Sequence, residues 1–174
     1  MSLLLRLSSL IDGLNTIVGR VVTWLVLLLT LVSAGNSIIR YAFNDSSNAW
    51  LEIQWYLFSA IYLLCAGYTL LHNEHIRIDV ISSRFSRRTQ AWIDLIGGLF
   101  FLLPLAVLVV WLSWPIFVSS LMSSEKSADA GGLIRWPAKM LIPLGFFLLT
   151  LQGISELIKR AGFLAGGQRN SGHD

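Results

Sequence analysis

Four long apolar stretches divide the chain. Two of them hold 19 consecutive residues without a charge, a third holds 30 and a fourth holds 16: residues 21–39, 53–71, 95–124 and 140–155. A helix that crosses a lipid bilayer needs roughly 17–25 mostly apolar residues. The pattern therefore predicts four transmembrane helices, the last one reaching Ile158 past Glu156. They are expected over about residues 17–39, 50–71, 92–119 and 138–158.

The third stretch is longer than one span needs and too short for two spans with a turn. We interpret it as one helix with a bend at Pro104 or Pro115 and an exit segment in the head-group region. The first stretch exceeds the 7–15 apolar residues of a typical signal peptide, so we keep it as a span. Residues 1–174 are thus expected to form one four-helix membrane domain, with a disordered tail over about 163–174.

The N-terminal segment is amphipathic. Its apolar side chains fall on one helical face, while Arg6, Ser9 and Asp12 fall elsewhere; the apolar set is Leu3, Leu7, Leu10, Ile11 and Leu14. This pattern is typical of a helix that lies in the membrane interface. The alternative is a simple extension of the first span. The expected fold class is an all-α membrane protein with four transmembrane helices and an N-terminal interfacial amphipathic helix.

Composition supports a membrane protein. Hydrophobic residues make up 55% of the chain, charged residues only 13%, and the mean hydropathy is +0.66. A soluble domain usually carries about 25% charged residues. With both termini inside, nine Lys and Arg residues lie in inner segments and four in outer ones. By the positive-inside rule, this asymmetry predicts an inner-membrane protein with both termini in the cytoplasm.

The sequence lacks the residues that an enzyme needs. His72 and His75 flank Glu74, but no third metal ligand is nearby and the spacing matches no catalytic zinc site. No glycine-rich phosphate loop leads to a P-loop lysine. We therefore predict no catalytic residue, no metal, no cofactor and no nucleic-acid partner, with membrane lipids as the surroundings.

Ionisable side chains are also missing from the middle of the spans. Glu52, Asp94 and Glu156 lie at or near predicted helix ends, whereas transporters with their own ion path usually keep charges inside the membrane. The mid-span polar residues, Gln152 among them, are expected to bond a backbone carbonyl or a neighbouring helix. Trp50 and Trp136 fall at span ends, where indole rings anchor in the head-group layer.

Three motifs carry a family resemblance over about residues 15–160. "RYAFN" leads from Arg40 and Tyr41 to "WLEIQWYLF", "HIRIDV" follows the second span, and the last span is "GGLIRWPAKMLIPLGFFLLTLQGISELIK". The chain resembles the small, DctQ-type membrane subunit of tripartite ATP-independent periplasmic (TRAP) transporters. Members of that family often show two adjacent acidic residues after the Trp, whereas here Glu52 is followed by Ile53.

The resemblance implies a function and two protein partners. A periplasmic protein captures an organic acid, and a large multi-span subunit, which carries the substrate and sodium sites, moves it by symport. The small subunit is a scaffold that binds and stabilises the large one. The alternative is a stand-alone four-helix membrane protein, either an assembly factor or a small transporter. The sequence does not identify the substrate.

Several polar positions within the motifs are candidates for partner or structural contacts. We expect Glu52 to pair with Arg40, or else to be an exposed carboxylate in the interface. In "HIRIDV", which contains His75, Arg77 and Asp79 are expected to pair with each other or with helix ends, unless the segment is an ordinary re-entry into the membrane. Pro137 suits the first turn of a helix.

Overall fold

The computed structural model describes residues 2–43, 47–72, 85–129 and 131–166. These residues form four helices that are long and apolar enough to cross a membrane, which confirms the predicted fold class. The third span consists of two α-helices joined by a π-helical segment. The elements are α1 (Ser2–Phe43), α2 (Asn48–Leu71), α3 (Arg87–Gly97), the π-helical segment (Gly98–Leu102), α4 (Leu103–Met122) and α5 (Trp136–Gly166).

Local sequence explains where several helices begin. The hydroxyl of Ser86 accepts a 3.2 Å hydrogen bond from the backbone N–H of Thr89, which caps the free N–H groups at the start of α3. Pro137 is the second residue of α5, where its missing N–H is not needed. Helix α5 continues to Gly166, so residues 163–166, expected to belong to a disordered tail, are helical.

The third span departs from α-helical geometry directly before Pro104. The N–H of Leu103 donates to the carbonyl of Gly98, five residues back. A proline inside a helix removes one backbone donor and crowds the carbonyl four residues earlier. A wider π-helical turn is one way for a helix to accommodate this disturbance. Pro115 lies within the continuous α4, so the irregularity falls at the first of the two predicted positions.

Helix α5 is the centre of the bundle, because it packs against every other helix. About 33% of the most apolar 18-residue stretch of α5 is buried inside the bundle, compared with 6–11% of the corresponding stretches in the other spans. A Cβ atom on Gly145 would lie 2.6 Å from the carbonyl oxygen of Leu63, which shows that the backbones of α5 and α2 approach closely. Small residues at such crossings are typical of helices packed within membranes.

The helices alternate in direction. Leu63 and Gly67 of α2 lie beside Gly145 and Leu148 of α5 in turn, and Tyr56 contacts Ile134 just before α5, so these two helices run parallel. Contacts of α1 with α5 run in the opposite order, from Ser8–Ser155 to Asn15–Gln152. The third span does the same, from Gly98–Leu157 to Leu102–Gly153. The described N-terminal and C-terminal residues therefore lie at the same end of the bundle.

The amphipathic N-terminal segment is helical and continues into the first span without a break, which is the alternative that the sequence left open. Helix α1 has 42 residues, which corresponds to about 63 Å at 1.5 Å per residue. The side facing α5 presents Ser8, Ile11 and Asn15, all buried, whereas Leu3 and Leu10 are largely exposed. The structure thus shows one long helix whose leucines face outward and whose packed face is partly polar.

Candidate functional site

The first polar cluster surrounds the connection between α4 and α5, of which residues 123–129 and 131–135 are described. The connection folds back on itself through a bridge between Lys126 and Ile134, and the N–H of Ser127 donates to the carbonyl of Leu133 at 2.9 Å. Ser124 and Gly131 have positive φ angles of 48° and 75°, which allow the reversals. We call this connection, together with Glu52 and Tyr56, the loop cluster.

Two residues of α2, one helical turn apart, hold this connection. The carboxylate of Glu52 accepts a 2.6 Å hydrogen bond from the backbone N–H of Leu133. The hydroxyl of Tyr56 donates to the carbonyl of Ile134 at 3.2 Å. A backbone donor in an irregular loop needs an acceptor, and hydrogen bonds to a charged acceptor are stronger than neutral ones. Glu52 therefore fixes the connection to the start of α2.

The predicted pairing of Glu52 with Arg40 was wrong. None of the ion pairs among the described residues joins these two side chains, and Arg40 is exposed in the last turn of α1. The folded connection instead presents the N–H of Leu133 to Glu52, with Arg135 nearby as a positive charge. The carboxylate has a structural partner, but that partner is a loop rather than the end of the first span.

Glu125 anchors the other side of the connection. Its carboxylate lies 3.5 Å from Arg135 and forms a short contact with Lys139 in the first turn of α5. The hydrogen bond from Lys139 is the main reason why the pKa of the Glu125 carboxyl lies below its ordinary value. The connection is therefore tied to α2 by Glu52 and to α5 by this charged group.

The second polar cluster lies at the opposite end of the bundle, where the N-terminal part of α1 packs on the C-terminal part of α5. We call it the terminal cluster. Asp12 is its centre: one carboxylate oxygen accepts from Gln152 at 2.9 Å and from Ser155 at 2.7 Å. The other oxygen lies 3.1 Å from the ammonium of Lys159. Lys159 also pairs with Glu156 at 2.5 Å, so two carboxylates share one lysine.

Three members of the terminal cluster are completely buried: Asn15, Gln152 and Ser155. The amide of Asn15 donates to the side-chain oxygen of Gln152 at 2.9 Å, and the hydroxyls of Ser8 and Ser155 lie 2.7 Å apart. Polar side chains that bond across helices replace water as partners inside a membrane protein. Gln152 thus bonds a neighbouring helix, as the sequence predicted.

Gly67 allows α2 to join this contact. The side-chain oxygen of Asn15 is buried without a conventional hydrogen-bond partner and points at Gly67. A Cβ atom at Gly67 would lie only 2.3 Å from that oxygen. Gly19 has the same role for Tyr68, whose ring would lie 2.3 Å from an added Cβ. Glycine at both positions lets α1, α2 and α5 approach closely.

The structure separates the residues singled out in the sequence. Glu52 belongs to the loop cluster, and Gln152 and Glu156 belong to the terminal cluster. The aromatic and proline positions Tyr41, Trp50, Trp136 and Pro137 lie at helix ends, with Tyr41 95% exposed. His75, Arg77 and Asp79 lie outside the described residues. Sequence reasoning missed Asn15, Ser155 and Lys159, although Ser8, Asp12 and Asn15 follow helical spacing.

Among the described residues, the ion pairs lie at or beside the two clusters. The buried side chains between the clusters include Ala60, Ala106 and Leu148, together with Ser113, whose hydroxyl donates to the carbonyl of Val109 in its own helix. The described ion pairs lie only at the two ends of the bundle. Within the described ranges, no group of three His, Cys, Asp or Glu side chains is placed to hold a metal ion. The described ion pairs therefore stabilise the bundle at its two ends, and none of them lies between the clusters.

Four apolar spans, with polar contacts between helices at the span ends, define a multi-pass α-helical membrane protein. The family described as "Tripartite ATP-independent periplasmic transporters, DctQ component" matches residues 29–162, which is most of the chain. The chain belongs to this family, so it is the small membrane component of a TRAP transporter. No curated protein and no solved structure matches the chain significantly. Asp12 and Asn15 lie before the matched range.

Proposed function

We propose that the chain is the scaffold subunit of a sodium-driven importer of organic acids, and that it binds and stabilises the large transport subunit. The observation that supports this proposal is that the described ion pairs lie only at the two ends of the bundle. A protein that moves an ionised acid or a sodium ion itself usually keeps ionisable groups inside the membrane. Between the two clusters, the buried hydroxyl of Ser113 bonds within its own helix, so we assign the transport path to the large subunit.

Hydrogen bonds and ion pairs between the helices at both ends of the bundle are consistent with a scaffold. When one part of a transporter moves, its support must keep its own shape, and interhelical ties at both ends oppose sliding of the helices. The outward faces of α1 and α4 carry large exposed apolar side chains, among them Leu31, Ile38, Leu108 and Trp111. Surfaces of this kind are available both to lipid and to another membrane protein. The periplasmic binding protein and the choice of substrate belong to the rest of the transporter.

The proposal also includes an orientation with both termini in the cytoplasm. The nine-to-four distribution of basic residues supports it, and the alternating helices bring both ends of the described chain to one side. In this orientation the loop cluster faces the periplasm and the terminal cluster faces the cytoplasm.

Co-purification tests the proposed function. An affinity tag on this chain should retain a large multi-span subunit in mild detergent, at a fixed stoichiometry on size-exclusion chromatography. A matched four-span membrane protein from outside the family, carrying the same tag, is the control. Recovery of the chain alone from membranes that contain the large subunit would contradict the proposal.

A further inference from the structure

An open groove lies beside the terminal cluster. It is a cavity of about 490 Å³, within the range of 300–1,000 Å³ that is usual for small-ligand sites. Leu157 of α5 forms part of its floor, with Leu70 of α2 on one side and Phe101 of the π-helical segment on the other. The groove exists because α2 and the third span both pack on α5 but have no extensive contact with each other in the described chain.

Gly97 accounts for part of the open space. A Cβ atom at this position would have no atom within 4 Å, whereas a Cβ at the adjacent Gly98 would lie 3.0 Å from Leu157. Gly97 lines the groove, so its missing side chain leaves space that a larger residue would fill. A Cβ atom there would enter open space without meeting a neighbouring atom.

One part of the groove is charged, and the remainder is apolar. Arg160 lies 3.3 Å from Asp94, and Glu156 lies nearby on the same helix as Arg160. The side chains of Asp94, Glu156 and Arg160 keep 26%, 19% and 30% of their surface exposed, so all three are accessible from the groove. They lie near the ends of their spans, where charged groups reach the head-group layer of a bilayer.

The arrangement of charges selects the ligand. A molecule with one polar end and a long apolar remainder fits a groove of this design. The guanidinium of Arg160 suits a phosphate group, and the two carboxylates suit an ammonium group. With the neighbouring Asp12–Lys159 pair included, three carboxylates lie beside two cationic side chains, so a purely anionic head group gains no net attraction. We propose that the groove binds one phospholipid with a phosphoethanolamine head group, from the membrane leaflet at this end of the bundle.

Binding of the lipid would close the gap between α2 and the third span. Its phosphate would lie against Arg160, its ammonium against Glu156 and Asp94, and one acyl chain against Leu157 and Phe101. The lipid would then act as a filler that connects two helices which otherwise meet only through α5. This role is independent of whether the chain binds a large subunit.

Native mass spectrometry of the full-length chain tests the proposal. The purified chain is titrated with phosphatidylethanolamine, phosphatidylglycerol or diacylglycerol of identical acyl chains. We expect one phosphatidylethanolamine to bind roughly tenfold more tightly than either of the other two lipids. Gly97→Leu should weaken that binding about tenfold or more. Gly35→Leu is the matched control, because Gly35 also has open space around its Cβ position but lies on α1, far along the chain from the groove.

A second variant tests the head group. Arg160→Gln should remove most of the preference for phosphatidylethanolamine over diacylglycerol while Gly35→Leu keeps it. Equal binding of phosphatidylglycerol and phosphatidylethanolamine by the wild type would overturn the proposed selectivity. Unchanged lipid binding by Gly97→Leu would overturn the proposed location. If Gly97→Leu instead lost only the large subunit on co-purification, the groove would be a protein contact, and the scaffold function would stand without the lipid site.

Discussion

The backbone N–H of Leu133 donates a 2.6 Å hydrogen bond to the carboxylate of Glu52, across 81 positions of the chain. This single contact joins the start of the second span to the connection before the last one. It explains why a carboxylate is kept beside a long apolar run: the charge is used to hold an irregular loop that has few regular backbone partners. The family match covers both residues.

Glu52→Ala should therefore loosen the connection between α4 and α5. We expect the thermal midpoint in detergent to fall by roughly 2–4 °C, and Glu52→Gln to have a smaller effect because its amide oxygen can still accept from Leu133. Hydrogen exchange at residues 123–135 should rise in the same order. Arg40→Ala is the control: its effect should add to that of Glu52→Ala, since the two side chains do not pair. A strongly non-additive loss of stability in the double variant would show that Glu52 and Arg40 do pair.

Gly67→Ala should weaken the contact among α1, α2 and α5. The new methyl group would overlap the side-chain oxygen of Asn15, and overpacking of this kind typically costs about 1–3 kcal/mol. Gly35→Ala, at an open position of α1, should be neutral or slightly stabilising because alanine favours helix. The free energy of unfolding in micelles measures both. Adding Asn15→Ala to Gly67→Ala should recover part of the loss, and no recovery would contradict the proposed contact.

Asp12 and Lys159 should be energetically coupled. Asp12→Ala removes the acceptor for Gln152, Ser155 and Lys159 together, whereas Asp12→Asn keeps an oxygen and should cost less. In a double-mutant cycle with Lys159→Met, we expect an interaction free energy of roughly 0.5–3 kcal/mol, which is usual for residues in contact. Unfolding in mixed micelles is the measurement, with Ser9→Ala on the exposed side of α1 as the control. Additive effects of Asp12→Ala and Lys159→Met would show that the ion pair contributes nothing.

The loop cluster should respond to acid. The pKa of Glu125 is lowered in the folded protein, chiefly by Lys139, from a reference value of 4.5. The folded state binds this proton less readily than the unfolded state, so the stabilisation is complete above the unfolded pKa and is lost as the pH falls through the folded one. Protection of residues 123–135 from hydrogen exchange should decline below about pH 4.5. In the Glu125→Gln variant, these residues should be less protected at pH 7, and the further loss of protection at acid pH should be absent. If that loss at acid pH were unchanged in the variant, a group other than Glu125 would cause it.

Orientation can be measured with reporter fusions. After Ile158, a reporter that works only in the cytoplasm should be active. Within residues 124–135, a reporter that works only in the periplasm should be active, and the cytoplasmic reporter should be silent. The control is the same pair of reporters after His72, on the predicted inner side. A periplasmic signal after Ile158 would contradict the positive-inside assignment.

The spans and the irregular third helix followed from local features of the sequence. Apolar length alone predicted four spans. Pro104 and Pro115 were the two predicted positions of an irregularity, and α-helical hydrogen bonding changes just before the first of them. The sequence predicted that Gln152 bonds a backbone carbonyl or a neighbouring helix, because an amide within a span needs a partner in lipid. The structure shows the second of these, with bonds to Asn15 and Asp12 of α1. Each of these predictions depends on one segment at a time, so a single sequence was sufficient.

The partners across the fold were not predictable in the same way. The contact of Asp12 with Ser155 depends on the register between the first and last helices, which no local pattern encodes. The true partner of Glu52 depends on a loop whose path requires positive φ at Ser124 and Gly131. Arg40 was chosen as the partner of Glu52 because it is the nearest basic residue in the sequence. The folded loop shows that closeness in sequence does not identify the partner here.

Uptake by reconstituted liposomes tests the scaffold account most directly. Liposomes receive this chain alone, the large subunit alone or both, together with the periplasmic binding protein, an organic acid and an inward sodium gradient. The account predicts no uptake with this chain alone and the highest uptake when both subunits are present. Sodium-dependent uptake of the acid by liposomes that contain this chain without the large subunit would contradict it.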